Sequence, residues 1–256
     1  MLSLERQEWI LKMLAQKGHI SISELCRELR ISAMTAGRDL QRAVKEGYAT
    51  RVRGGAVGTW KSKYEESYTA KQSDFMTEKA KIGRTAARLV ADGDTVILDA
   101  GTTTLWVARH LEGLKGLTVI TNALHIANEL SGNPDISLVL IGGQQRATSH
   151  SLVGPLAVQC FKTLYADEVF LGTEGISEAK GFTVPDMLEA DVKVAMVSAA
   201  RKVFVVADHS KFNTIRLISF AHLGAAAKII SDAMPSDELR QACSRERVEI
   251  VLAQDA

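Results

Sequence analysis

Between Ser3 and Lys17 apolar residues fall at Ile10, Leu11, Met13 and Leu14 with charged residues between them, a pattern that predicts an amphipathic helix ended by Gly18. A second helix is predicted to open at Ser21-Ile-Ser-Glu24, where Ser21 can cap the first turn and Glu24, three residues on, can bond back to it. It carries Ile22, Leu25, Cys26 and Leu29 on one face. Ile31-Ser32 interrupts the pattern, and Ser32 can cap a third helix with Ala36, Leu40, Ala43 and Val44 in one apolar stripe. Thr35, Arg38, Arg42 and Lys45 occupy the opposite side of that helix. After Gly47, Tyr48-Ala-Thr-Arg51-Val-Arg53 alternates with a period of two and meets Gly54-Gly55 before Ala56-Val57, the pattern of a small hairpin.

Downstream of residue 76 the period changes. A helix is predicted over Glu78 to Val90, closed by Asp92-Gly93, and short β-branched runs then alternate with helical stretches. Candidate strands are Thr95 to Asp99, Leu117 to Thr121, Ser137 to Ile141, Glu168 to Leu171, Lys202 to Ala207, Lys228 to Ser231 and Val248 to Leu252. Near-continuous apolar strands separated by helices imply a mostly parallel sheet covered on both faces. Residues 58–75 join the two regions and hold no Pro, but they include Trp60, Tyr64, Tyr68 and Phe75. The four-residue spacing of the first three fits either a helix packing one aromatic edge or a partly ordered connector.

Composition adds bounds to this picture. A chain of 256 residues, 46% apolar and 24% charged, is that of an ordinary globular protein, and excludes collagen-like and disordered classes. Lys and Arg number 31 against 30 Asp and Glu, a formal net charge of +1 that conceals an uneven spread. Residues 1–60 hold ten basic and six acidic side chains, leaving 21 against 24 for the rest: a basic head on a mildly acidic body. Cys26, Cys160 and Cys243 form no paired motif, so neither a disulfide framework nor a metal site is suggested, and no cofactor is expected. The first residues meet charge at once and no long apolar run follows, which makes cytoplasm the expected compartment, with no membrane partner.

Three short helices, the last two joined by about three residues, followed by a basic hairpin, describe a winged helix-turn-helix. Its candidate DNA-contacting residues are Ser32, Thr35, Arg38, Arg42 and Lys45 on the third helix and Arg51 and Arg53 on the wing. Binary patterning alone equally describes a protein-interaction domain with a solvated basic face.

In parallel sheets ligands bind beyond the carboxyl ends of strands. Asp99-Ala-Gly101-Thr102-Thr103-Thr104 follows a strand and is expected to open a helix at Leu105, offering backbone N–H groups and three hydroxyls to an anion. Neighbouring strand ends carry Thr121-Asn122, Gly142-Gly143 and Gly172-Thr173-Glu174-Gly175. Glu189 and Lys193, four apart, and Lys211 read either as surface charges or as groups converging on a polyol phosphate.

Glu5-Arg-Gln-Glu-Trp-Ile10, Ser21-Ile-Ser-Glu-Leu25, Ser32-Ala-Met-Thr35-Ala-Gly-Arg38-Asp39-Leu40 and Arg51-Val-Arg-Gly-Gly-Ala-Val57 together resemble the N-terminal domain of DeoR-family transcriptional regulators. That family usually carries a bulky aliphatic residue and Arg where this chain has Ala36 and Gly37. Asp94-Thr-Val-Ile-Leu-Asp99-Ala-Gly-Thr-Thr103, Leu117-Thr-Val-Ile-Thr-Asn122, Ile141-Gly-Gly143, Glu189-Ala190 with Lys193, and Ala207-Asp208 with Ser210-Lys211-Phe212 resemble its C-terminal sensor domain. The resemblance implies an α/β fold: a winged helix-turn-helix over 1–57, a linker over 58–75, and over 76–256 a larger, mostly parallel α/β sheet domain similar to ribose-5-phosphate isomerase. It further implies a homo-oligomer, dimer or tetramer, that represses sugar genes from double-stranded operator DNA and is released by a phosphorylated sugar effector. The implied effector residues are Asp99, Gly101 to Thr104, Thr121, Asn122, Gly142, Gly143, Glu174, Glu189, Lys193 and Lys211.

Two alternatives stand beside this reading. An isomerase-like enzyme is disfavoured because Leu171-Gly-Thr-Glu174-Gly keeps one carboxylate where such isomerases carry an Asp-rich segment, and no catalytic residue is assigned. A nonspecific nucleic-acid-binding protein would show a steep salt slope and no small-molecule response.

Overall fold

The computed structural model describes residues 3–58 and 68–254. The chain divides into two compact units, Met1–Glu66 and Ser67–Ala256, each with its own core.

The first unit runs α1 (Ser3–Lys17), β1 (His19–Ser21), α2 (Ile22–Leu29), α3 (Ala33–Lys45), β2 (Ala49–Val52) and β3 (Gly55–Gly58). Ser21 Oγ accepts the Glu24 N–H at 3.1 Å and Ser32 Oγ accepts the Thr35 N–H at 3.2 Å, so both expected caps form. α2 stops where Arg30 takes the left-handed conformation at φ 52°. Ile10, Leu14, Ile20, Leu25, Ala36, Leu40 and Ala43 fill the core. Asp39, on the buried side of α3, accepts a two-pronged bond from Arg6, Nε at 2.7 Å and Nη2 at 3.3 Å, which fastens α1 to α3. The strands order β1-β3-β2. The hairpin was legible, but β1, only three residues long, shows no alternation to read. Gly55 is required where these strands meet: a Cβ would lie 2.2 Å from the Ile20 carbonyl oxygen.

The second unit begins with α4 (Tyr68–Ser73), α5 (Met76–Ala87), β4 (Thr95–Leu98), α6 (Thr102–Arg109), β5 (Leu117–Thr121), α7 (Leu124–Leu130) and β6 (Ile136–Leu140). It continues through β7 (Gln144–Arg146), β8 (Ser151–Val153), α8 (Pro155–Phe161), β9 (Ala166–Leu171), β10 (Gly175–Ser177), β11 (Gly181–Val184) and α9 (Met187–Ala199). Then follow β12 (Ala200–Val206), β13 (Ile218–Ala221), β14 (Lys228–Ser231), α10 (Asp237–Arg245) and β15 (Glu249–Leu252).

All seven strands expected from the apolar runs pair in parallel in one sheet, ordered β15-β14-β12-β9-β4-β5-β6. Both faces are covered. Val169, Leu171, Val203 and Val205 enter one core with α8, α9 and α10, while Phe170, Phe204 and Val206 enter the other with α5, α6 and α7. That two-sided burial is why these strands read as continuous apolar runs. α5 and α6 approach closely enough that a Cβ on Gly83 would fall 2.4 Å from the Trp106 carbonyl carbon.

Three features differ from the sequence reading. α6 opens at Thr102, three residues before Leu105, because Gly101 serves as its cap and the threonines form its first turn. The segment 68–75, read as linker, folds onto the second unit: the buried ring of Tyr68 lies 4.2 Å from His125 and 5.1 Å from His150. Trp60 and Tyr64, of the same aromatic series, lie outside the described residues. Finally, an antiparallel sheet β10-β11-β13 and a hairpin β7-β8 stand beside the main sheet. Their strands have three or four residues and gave no period of their own.

Candidate DNA-reading face and strand-edge site

On the first unit, Ser32, Arg38, Arg42, Lys45, Arg51 and Arg53 are exposed or half-buried, as is Thr35. Ser32 and Thr35 hydroxyls lie 3.0 Å apart at the start of α3, and Arg42 Nε reaches Glu46 at 2.9 Å. Arg53 falls in the turn between β2 and β3, with Arg51 on β2. Met34 was not singled out from the sequence, yet it is 69% exposed beside Thr35. An apolar residue off the buried stripe at a helix start was the available signal, and such a side chain suits contact with a thymine methyl. Gly37 sits mid-helix with nothing within 4 Å of where a Cβ would stand, so the position is short of a side chain, not of space.

On the second unit, the expected residues gather at the carboxyl edge of the sheet as three linked groups. The first group is charged and buried. Lys193, on α9, reaches back across the sheet to pair with Asp99 at the end of β4. Its Nζ also donates to the Gly172 carbonyl at 3.0 Å, and Gly172 N–H donates to Asp99 Oδ2 at 3.0 Å. Glu189 Oε1 lies 3.9 Å from the same ammonium, and Arg146 lies 3.7 Å from Glu189 and 3.3 Å from Asp186. The surface reading of Glu189 and Lys193 is therefore corrected: they are 8% and 1% exposed, because α9 is packed under the small antiparallel sheet.

The second group surrounds Glu174, after β9. Its carboxylate accepts from Lys71 at 2.5 Å and pairs with Lys211 at 3.5 Å, while Arg216 Nε donates to its backbone carbonyl at 3.3 Å. Burial alone would raise this carboxyl, but Lys211, Lys71 and Arg216 outweigh it and hold Glu174 well below the usual carboxylate range. Lys79, also buried, donates to the carbonyls of Lys71 and Asp74; desolvation pushes its ammonium down, with Asp208 opposing.

The third group lies at the start of α6. Thr102, Thr103 and Thr104 form its first turn, whose N–H groups have no intrahelical carbonyl to meet. Thr104 spends its hydroxyl on the Gly101 carbonyl at 3.0 Å, while Thr102 and Thr103 beside it are 9% and 7% exposed. His125 Nε2 approaches the same carbonyl at 3.3 Å, and burial lowers its pKa to about 4, against a partial rise from that bond.

Other expected residues are held structurally. Thr121 Oγ1 donates to the Leu98 carbonyl at 2.7 Å and accepts from Ala123 N–H at 3.1 Å, locking β5 to β4. Asn122 Nδ2 donates to the Leu152 carbonyl at 3.0 Å, while its buried Oδ1 has no hydrogen-bond partner among the described residues. Gly142 is exposed, and Gly143 is there for close packing, since a Cβ would meet the Val153 carbonyl at 2.7 Å. Sequence reasoning missed Lys71, Lys79 and Arg146, all of which join the site only through folding. Among the described residues no His, Cys, Asp or Glu cluster suits a metal ion, and no helix is long and apolar enough to cross a membrane.

Two family models cover this arrangement. Residues 6–59 match the DeoR-like helix-turn-helix domain, and residues 74–233 match the DeoR C-terminal sensor domain. The chain belongs to the DeoR family. It is a DNA-binding transcriptional regulator with an effector-sensing domain, not an isomerase. Among its DeoR-type relatives, the uncharacterized HTH-type transcriptional regulator YgbI of Escherichia coli (strain K12) is 35% identical over 97% of this chain and 96% of its own. The HTH-type transcriptional repressor GlcR of Bacillus subtilis (strain 168) is 34% identical over 98% of this chain and 96% of its own. Among solved structures, ribose 5-phosphate isomerase A from Neisseria gonorrhoeae matches 54% of each chain at 17% identity and a TM-score of 0.40. The DeoR assignment also fits the local chemistry: Glu174 is locked between two lysines, which leaves it unsuited to act as a general base.

Proposed function

We propose that this regulator is a repressor whose hold on operator DNA is released by a phosphorylated sugar bound at the carboxyl edge of the seven-stranded sheet. The observation that carries the reading is the start of α6: directly after β4, Thr102 and Thr103 lie in the first turn of a helix, whose N–H groups have no intrahelical carbonyl to meet. Unsatisfied donors and the helix dipole both favour a phosphate there. Glu174, with Lys211 beside it, and Asn122 Oδ1 offer acceptors and charge to the sugar hydroxyls. Asp99, Lys193 and Glu189 form the buried frame that holds the strand ends in place.

On the first unit, Ser32, Thr35 and Arg38 read base edges while Arg42, Lys45, Arg51 and Arg53 contact phosphates. Two heads are needed for a paired operator, so the regulator works as a homo-oligomer, dimer or tetramer, at cytoplasmic DNA. Effector binding shifts the population between head arrangements by its differential affinity for them.

The test is Thr103→Glu. A carboxylate at the first turn repels and displaces the phosphate, so the variant binds a selected operator fragment as the natural chain does but is not released by any member of a sugar-phosphate panel. A variant still released by the same sugar phosphate overturns the assignment.

A further inference from the structure

α4 is six residues long, too short to persist without tertiary contacts. It is held at its two ends. Tyr68 N–H donates to the Thr148 carbonyl at 2.7 Å and the Tyr68 ring is flanked by His125 and His150. At the other end Lys71 Nζ donates to Glu174 Oε1 at 2.5 Å. Both anchors belong to the strand-edge site, since His125 touches the Gly101 carbonyl and Glu174 faces Lys211. With Lys71 on one carboxylate oxygen and Lys211 on the other, the Glu174 side chain is only 17% exposed, so the two lysines cover the oxygens that an incoming hydroxyl would reach. Lys71 is the one carried by a marginal element.

The joint behind α4 is also unusual. Phe75, a bulky residue, sits between α4 and α5 at φ 53°, in the left-handed region that favours glycine. Its ring rests edge-on against His209 at 4.9 Å. Lys79 of α5 grips the carbonyls of Lys71 and Asp74, so movement of α4 is felt at the first turns of α5. Strained joints of this kind persist where the surroundings over-determine them.

We propose that α4 is a strap over the effector site: Lys71 occupies the Glu174 carboxylate that the effector's hydroxyls require, and the effector displaces it and frees residues 68–75. This rests on the sugar-phosphate reading above and names its regulation. α4 is the first described element after the DNA-reading unit along the chain. Because the strapped state is closed to effector, apparent affinity is lowered by the fraction of molecules in it.

The experiment uses the full chain, as the natural sequence, Lys71→Met and Lys71→Arg, with hydrogen exchange of the backbone amides of 68–75 as readout. Without ligand, Lys71→Met exchanges in this segment about tenfold faster, Lys71→Arg stays near the natural chain, and the parallel strands remain protected in both. D-ribose 5-phosphate, D-fructose 1-phosphate and D-glucose 6-phosphate are the probes. The sugar phosphate that binds does so roughly fivefold more tightly in Lys71→Met, and at saturation speeds exchange of 68–75 in the natural chain. Unchanged exchange in Lys71→Met, equal affinity of both proteins, or slower exchange of 68–75 at saturation overturns the strap while leaving the effector reading intact. Failure of all three probes to bind either protein overturns the effector reading, and the competition with it, whatever the exchange rates.

Discussion

Lys193→Met isolates what the buried ion pair does. In the folded chain the Lys193 and Asp99 side chains are 2% and 1% exposed, and Asp99 Oδ2 has two donors, the ammonium and the Gly172 N–H at 3.0 Å. Methionine fills nearly the same volume without charge, leaving Asp99 with one donor, and Glu189 without the cation that lay 3.9 Å from it. Breaking a buried pair on one side costs about 3–5 kcal/mol. Two acids converge on this one cation, which favours the upper half of that range, about 4 kcal/mol. Asp99→Asn keeps an acceptor for Gly172 N–H and leaves Lys193 its Gly172 and Glu189 partners, so it costs about 1–3 kcal/mol. In the double variant the introduced amide can donate to the Gly172 carbonyl that the lysine vacates, and the total falls to about 1–2 kcal/mol, a coupling of about 3 kcal/mol or more. The assay is urea unfolding of the full chain followed by Trp106 fluorescence in a Trp9→Phe, Trp60→Phe background. With a slope of about 2 kcal/mol/M, Lys193→Met moves the midpoint down by about 2 M. A shift under about 0.3 M, or a double variant that simply adds the two single effects, refutes the buried frame and returns Lys193 to direct effector binding.

Three further outcomes follow from the same geometry. Gly37→Ala adds a methyl in open space on α3 and removes a helix glycine, raising first-unit stability by about 1 kcal/mol; a thermal midpoint in the Trp9 signal that fails to rise refutes it. Below its unfolded pKa of about 6.5, His125 takes up a proton in the unfolded chain that the folded chain refuses down to about 4, so stability falls as pH drops through that window. The half-buried ring contributes about 2 kcal/mol of this loss, and His125→Gln flattens the profile; identical profiles above about pH 5 refute it, since the Glu174 contribution starts to be lost as pH falls through its unfolded pKa of about 4.3 and overlaps only the acid end of the window. Arg38→Ala weakens binding to a selected operator by about 1–3 kcal/mol, whereas Lys45→Ala lowers the salt slope by about one with little change in sequence preference; anisotropy titrations showing the reverse would exchange their roles.

What the sequence alone determined is what neighbours in the chain determine. Ser21 and Ser32 cap their helices through bonds to residues three positions away, the hairpin that carries Arg51 and Arg53 follows from its alternation and from Gly54 and Gly55, and seven apolar runs became seven parallel strands. Each is a local periodicity or a local hydrogen bond, so the fold class and the placing of Gly101 to Thr104 at a strand end were legible. Tertiary structure decided the pairing of charges. Lys193 meets Asp99 across 94 positions and Lys71 meets Glu174 across 103, and no local pattern marks either partner. A charge four residues from another reads as a solvated pair until the helix that carries it is buried. That is why a surface pair stood beside effector contact as a reading of Glu189 and Lys193, which are buried together at the strand ends, and why residues 68–75 read as a linker and fold against the second unit.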